Sequence, residues 1–204
     1  MGYTLFILFL IFSYLIGSIP SGVWIGKKIS GLDIREHGSK NTGATNAIRV
    51  LGAKIGIIVL LLDILKGAIP LLIGKYLFKY YDDLYLLIIG VVVIIGHILS
   101  LFLKFKGGKG VATSLGVFFV IVPKVMITIL IIFSIVVYFT RFVSLGSILS
   151  ALSFSFLTYF YYGVDKIMTI YFGIIIGIYI IYKHKTNIQR LFKGEENKIK
   201  FKKE

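Results

Sequence analysis

The sequence predicts an all-α polytopic membrane protein with seven transmembrane helices, the amino terminus extracytoplasmic and the carboxyl terminus cytoplasmic. Three observations predict it. The 204 residues are 57% hydrophobic, with a mean hydropathy of +0.93, where soluble domains run nearer about 45–50% apolar. Several apolar runs reach the roughly 18 residues that a membrane span needs. The net charge of +14 is carried by Lys and Arg at the ends of those runs. That distribution fits orientation, anionic lipid and anionic substrates better than nucleic acid. The absence of cysteine excludes disulfides, thiolate metal sites and a thioester intermediate. A single domain over 1–204 is expected.

The first span is placed at about 3–25. It lacks a charged n-region and a small-residue cleavage site, which reads as a retained span. It contains Pro20, which frees a carbonyl inside the span, so a kink is expected. Residues 26–54 form the longest polar segment, read as a loop. The second span, 55–76, holds Asp63 and Lys66 three residues apart on one helix face, suited to an ion pair. A polar turn follows at Lys79 to Asp83. The third span, 84–103, contains His97, placed about two turns before a glycine–lysine stretch and fit to support it. Residues 111–140 make one apolar run of thirty, interrupted at Pro123-Lys124. A single helix of that length would be about 45 Å long against a core of about 30 Å. Two spans, 110–122 and 124–140, fit better. The last spans are 145–162 and 167–182. The basic tail from Lys183 is expected at the membrane surface.

Charge decides the parity. With seven spans, eighteen Lys and Arg fall on the cytoplasmic side and four outside; with 111–140 as one span the split is ten to eleven. The positive-inside rule selects seven. It also puts four polar motifs on the cytoplasmic face: residues 38–49, the stretch 104–113, Arg141 to Ser147, and the head of the tail.

The stretch from Lys104 to Gly110 holds three lysines and three glycines in seven residues. Glycines let backbone N–H groups turn toward an anion, and lysines add positive charge. Across the face the cations are Arg49, Lys104, Lys106, Lys109, Arg141 and Lys183. Small donors accompany them: Ser39, Asn41, Thr42, Thr45, Asn46, Thr113, Ser144 and Ser147, with His184 and Asn187. Carboxylates are nearly absent before the tail, where a metal-dependent phosphotransferase would want several. The paired aspartates of membrane alcohol phosphotransferases are missing. The face reads as built to hold two phosphate-bearing ligands, with neither metal nor cofactor expected.

Four motifs carry a resemblance. They are Gly38-Ser39-Lys40-Asn41-Thr42-Gly43-Ala44-Thr45-Asn46; Gly96-His97 with Phe105-Lys106-Gly107-Gly108-Lys109-Gly110-Val111-Ala112-Thr113; Val143-Ser144-Leu145-Gly146-Ser147-Ile148; and His184 with Asn187-Ile188-Gln189-Arg190-Leu191 and Gly194-Glu195-Glu196. Together they resemble the signature of the bacterial acyl-phosphate:glycerol-3-phosphate acyltransferases, the PlsY type. The resemblance runs from Gly17-Ser18 to Glu196. Lys40 stands where glycine is expected and Ser100 where proline is common.

The resemblance implies acyl transfer from acyl phosphate to the 1-hydroxyl of sn-glycerol 3-phosphate, giving lysophosphatidate and phosphate, as the first acylation of phospholipid biosynthesis. It implies a multi-pass protein of the bacterial inner membrane with its site on the cytoplasmic side. Implied partners are the two substrates, membrane lipid and the soluble enzyme that forms acyl phosphate. By motif position Ser39, Arg49, Lys104 or Lys109, and Ser144 would bind phosphate or glycerol groups. Asn41, Asn46 and Lys106 join the substrate-binding set. His184 and Asn187 would orient glycerol phosphate, with His184 as base or as anchor. Backbone N–H groups around Gly107, Gly108 and Gly110, with Thr45 or Thr113, would cradle the acyl phosphate. Two rivals fit less well. A phosphate permease would place more polar residues in mid-membrane than Asp63 and Lys66, and a membrane serine peptidase would place Ser144 and His184 within spans.

Overall fold

The computed structural model describes residues 2–78 and 83–199. The turn expected at Lys79 to Asp83 lies, but for Asp83, outside the described residues, as does the end of the tail. The chain divides into two compact units, Met1–Ile121 and Val122–Glu204.

The first unit holds six α-helices among its described residues: α1 Gly2–Ser18, α2 Ser21–Ser30, α3 Ala44–Leu51, α4 Ala53–Leu77, α5 Asp83–Ile98 and α6 Val111–Ile121. A 3-10 turn at Leu101–Leu103 follows α5. The expected kink at Pro20 is a break: α1 stops at Ser18, and α2 restarts at a 44° angle. Glycine sets the helix contacts. A Cβ on Gly67 of α4 would overlap the Thr113 carbonyl of α6, and one on Gly116 of α6 would overlap the Ile64 carbonyl of α4. These pairings run antiparallel and bring the two backbones together. Gly17 and Gly96 do the same for α1 and α5, against Val93 and Tyr14.

The polar segment departs from the loop expectation. Residues 44–51 form α3, capped by the extended Gly43. Ala44, Ala47, Ile48 and Leu51 recur at i, i+3, i+4 and i+7, the spacing of one apolar helix face. Ala44 and Ala47 are buried with Ile34, Val23, Val59 and Leu103 in one apolar cluster. That cluster pins the polar loop onto α2 and α4.

The second unit holds α7 Pro123–Thr140, α8 Val143–Tyr162, α9 Ile167–Lys183 and α10 Lys185–Phe192. Pro123 opens α7 at its first position, where a missing N–H costs nothing. The break at the proline in the thirty-residue run is therefore real: α6 ends at Ile121 and α7 begins at Pro123. α8 and α9 fold into an antiparallel hairpin through the 3-10 turn Gly163–Lys166. Ser155 Oγ donates to the Ile170 carbonyl at 3.3 Å, and Gly173 sits against the Phe154 ring. Hydroxyls in the apolar helices bond back one turn: Ser13 to Phe9 and Thr158 to Phe154. The tail does more than lie along a surface. After α10 it returns, and the Ile199 N–H donates to the Arg141 carbonyl at 2.9 Å.

Four stretches are long and apolar enough to cross a membrane, Ala53–Leu77, Asp83–Leu103, Pro123–Thr140 and Val143–Lys183, and the bent α1–α2 pair makes a fifth. The hairpin at Gly163 folds the last of these back on itself.

The α4–α6 contact yields a stability prediction. Gly116→Leu should destabilise the protein by about 1–3 kcal/mol or more, since the added carbons meet backbone that cannot move aside. Thermal unfolding in detergent, read against wild type, checks it.

Candidate functional site

In the first unit the 31–43 loop is built on two side chains. The Asp33 carboxylate takes the Arg35 guanidinium at 2.9 and 2.6 Å, with Lys27 at 3.3 Å. The hydrogen bonds from Arg35 hold the Asp33 carboxyl well below the usual range, against the opposing effect of burial. Asn46 does more. It is 1% exposed, and its Nδ2 reaches the carbonyls of Ile34 at 2.7 Å, His37 at 3.2 Å and Asn41 at 2.9 Å. Its Oδ1 accepts the Ser39 N–H at 2.8 Å. Expected to touch substrate, Asn46 has its whole amide committed to shaping the loop. Asn41 closes the next turn by accepting the Gly43 N–H at 3.0 Å. Lys40 has φ +57, a left-handed conformation that glycine adopts without strain, which accounts for the glycine expected there. Ser39, Thr45 and Arg49 are half-buried.

The Gly-Lys stretch folds back under α5. Lys104 and Phe105 are both left-handed, with φ 52 and 61. The Phe105 N–H donates to the Ser100 carbonyl at 2.8 Å, Gly107 to Ile98 at 3.0 Å and Gly108 to His97 at 3.1 Å. Two N–H groups expected to cradle phosphate are thus turned onto carbonyls of residues 97 and 98. The donors suited to an anion come later. Gly110, at φ +84, turns the chain into α6, whose first N–H groups at Val111, Ala112 and Thr113 have no helical carbonyl to meet. Lys104 and Lys106 are exposed and Lys109 is half-buried. Thr113 is 0% exposed, and its backbone carbonyl lies against Gly67 of α4. Its hydroxyl has no hydrogen-bond partner among the described residues.

In the second unit Ser144, His184 and Asn187 are all buried. A carboxylate missing from the expected set joins two of them. Glu196 Oε1 accepts from Ser144 Oγ at 3.0 Å and from Asn187 Nδ2 at 2.7 Å. Its Oε2 accepts from Arg190 Nε at 2.8 Å. Burial alone would raise the Glu196 carboxyl; the bonds from Arg190, Asn187 and Ser144 outweigh it and leave it below the usual range. The Glu195-Glu196 pair, on a face otherwise short of acids, is the signal the sequence offers. His184 sits where α9 ends, and its Nδ1 lies 2.8 Å from the Ile180 carbonyl. A carbonyl only accepts, so Nδ1 carries a proton, and when the ring is neutral its lone pair is on Nε2. Arg141 ends α7 at φ 66, and Ser147 Oγ bonds back to the Val143 carbonyl at 3.0 Å.

The family model "Glycerol-3-phosphate acyltransferase" matches residues 7–194. The chain belongs to the glycerol-3-phosphate acyltransferase family. It is an acyltransferase of phospholipid biosynthesis, and its resemblance to the PlsY type holds. A glycerol-3-phosphate acyltransferase of Fusobacterium nucleatum is 50% identical over 96% of this chain and 99% of its own. That of Bacillus subtilis is 42% identical over 95% and 97%. The crystal structure of PlsY, an integral membrane glycerol 3-phosphate acyltransferase, in its glycerol 3-phosphate form, matches with a TM-score of 0.86 at 39% identity over 96% of both chains. Its lysophosphatidic acid form matches at 0.83 over 96% and 95%.

The Glu196 and Asn46 networks each yield a prediction. Glu196→Gln should cost about 2–3 kcal/mol, the worth of hydrogen bonds to a charged group. Because the folded-state value of Glu196 is depressed, its contribution is present above the ordinary glutamate value and is lost as pH falls through the folded one. Wild type should therefore lose melting temperature on acidification below about pH 4.5 more steeply than Glu196→Gln. Asn46→Asp replaces the donors to three carbonyls with oxygens and should cost about 2–4 kcal/mol, read as the fraction folded after purification at neutral pH.

Proposed function

We propose that this chain transfers a fatty acyl group from acyl phosphate to the 1-hydroxyl of sn-glycerol 3-phosphate, releasing 1-acyl-sn-glycerol 3-phosphate and inorganic phosphate. The hydroxyl oxygen bonds to the acyl carbonyl carbon, the bond from that carbon to the phosphate oxygen breaks, and the hydroxyl proton ends on the base or the departing phosphate. An acyl phosphate is a mixed anhydride and already activated. No covalent enzyme intermediate is needed, and the work left is positioning and charge stabilisation.

The observation that carries the reading is the His184 ring. Its Nδ1–H is committed to the Ile180 carbonyl, so Nε2 is the nitrogen able to take a hydroxyl proton. Ser144 and Asn187, tied to Glu196, are assigned to the glycerol phosphate. In the other unit, the α6 amino-terminal N–H groups with Lys109 and Gly110 are assigned to the phosphate of the acyl donor. Ser39, Arg49 and Lys104 supply further phosphate or glycerol contacts, and Lys106, Asn41 and Thr45 line the same loops. Asn46, Gly107 and Gly108 act through loop shape. The chain works as one domain with seven spans, the amino terminus outside and the carboxyl terminus in the cytoplasm, supported by the eighteen-to-four charge split and the hairpin at Gly163. The site then faces the cytoplasm of a bacterial cell, where a soluble enzyme forming acyl phosphate can deliver to it.

Purified protein mixed with acyl phosphate and glycerol 3-phosphate should yield lysophosphatidate and phosphate. No turnover, with acyl-CoA inert as well, would sink the proposal. The role of His184 is read from His184→Asn. A base predicts a fall of kcat by about 100-fold or more with little change in the glycerol 3-phosphate KM, and loss of the acidic limb of the pH–rate profile. A rise chiefly in KM would make it an anchor.

A further inference from the structure

Beneath the Gly-Lys stretch lies a polar cluster that the proposed chemistry does not use. Asp63 and Lys66 of α4 and His97 of α5 are 2%, 6% and 7% exposed. Lys66 Nζ is 2.8 Å from Asp63 Oδ1 and donates to the Ile19 carbonyl at 2.7 Å, at the α1–α2 break. The three side chains line a cavity of about 10 Å³ with Ser18, Ser100 and Thr42. A cavity of about 10–15 Å³ holds one water when it offers two to four polar partners.

Two buried atoms there lack a hydrogen bond. The Nδ1 of His97 has no partner among the described residues, and Asp63 Oδ1 has its ion pair but no well-directed hydrogen bond. Buried polar atoms in folded proteins are satisfied by protein or by ordered water. The cavity is too small for a phosphate and of the right size for a water. Both orphans belong to residues lining it.

The other end of His97 touches the functional loop. A Cβ on Gly108 would overlap His97 Nε2 and come within 2.8 Å of Thr42 Oγ1. The His97 carbonyl takes the Gly108 N–H at 3.1 Å, and its neighbour Ile98 takes that of Gly107 at 3.0 Å. His97 thus supports the stretch through ring and main chain together.

We propose that Asp63, Lys66 and His97, joined by one buried water, form a bracket that sets the path of the Gly-Lys stretch, so that His97 is a positioning residue for the acyl donor's phosphate. The water accepts or donates at His97 Nδ1 and donates to Asp63 Oδ1. The ring is thereby held flat under Gly108, and the turn at Gly110 delivers the α6 N–H groups to one position. This rests on the acyltransferase reading above.

The test has a structural and a kinetic arm. An experimental structure at a resolution that shows waters should place one within hydrogen-bond reach of Asp63 Oδ1 and His97 Nδ1; an empty cavity overturns the bracket. His97→Phe fills the ring's space without the polar atoms. It should raise the KM for acyl phosphate by about tenfold or more, leaving the glycerol 3-phosphate KM near wild type and kcat less affected. His97→Asn, whose amide stands near the Nδ1 position, should restore most of the loss, whereas His97→Gln, whose amide stands near Nε2, should not. Wild-type KM values in His97→Phe, or rescue by Gln alone, overturn the proposal. Equal rises in both KM values with a matching loss of melting temperature would make His97 a packing residue and overturn it too. A wild-type protein that turns over neither donor defeats the acyltransferase reading instead, while the water is still read from the structure.

Discussion

An apolar segment that breaks its helix must find donors for the carbonyls it releases, because lipid offers none. At Ile19 and Pro20 this chain does so with an ammonium. The Ile19 carbonyl has one main-chain donor, Ser21, reached across a tight two-residue return; Lys66 supplies the second. A buried lysine needs a counter-charge, and Asp63, one turn earlier on α4, supplies it. Removing either partner of such a pair would strand the other at a cost of about 3–5 kcal/mol. The break in the first span, the charges in the second and the histidine in the third are therefore one system. None of them has a physical account alone.

The functional loops depend on the same economy of polar groups. Asn46 closes four backbone groups of a loop that has no regular structure of its own. Glu196 gathers three donors from α8 and α10 onto one carboxylate. In each case one buried side chain with several lone pairs or protons replaces the hydrogen-bond ladder that the loop lacks. The positive-φ residues Lys40, Lys104 and Phe105 are strained positions for side-chain-bearing residues. Lys40 lies in the loop that Asn46 ties, and the Lys104 and Phe105 N–H groups bond the Leu101 and Ser100 carbonyls, so local hydrogen bonds hold each of them.

The apolar helices were legible because composition and length decide them. The division at Pro123 was legible because proline at the first helical position is both a stop and a start. The helix α3 was hidden by its polar residues, although Ala44, Ala47, Ile48 and Leu51 carry the helical spacing. The composition of the Gly-Lys stretch was legible, but not its wiring. Which N–H groups turn outward is set by the carbonyls of His97 and Ile98, and no spacing within the stretch records that. Glu196 lies within a sequence motif, but nothing near it in the chain shows what it binds. Its partners lie 52 and 9 residues away, and only the folded tail brings them together.

The proposed direct transfer between two anionic substrates would put its demands on geometry. With no covalent intermediate to hold the acyl group, each substrate of such a transfer would have to meet donors that are already in place, since reorganising them during reaction would forfeit the electrostatic gain. A loop of glycines is a poor means to that end unless something removes its freedom. Here the freedom is removed twice, by turning the Gly107 and Gly108 N–H groups inward and by seating Gly108 against the His97 ring with no room for a Cβ. Glycine in this stretch thus serves close approach more than flexibility. The permissive residue is the one that lets the backbone be gripped, and the grip fixes the path into the N–H groups at the start of α6, the proposed receptor for phosphate.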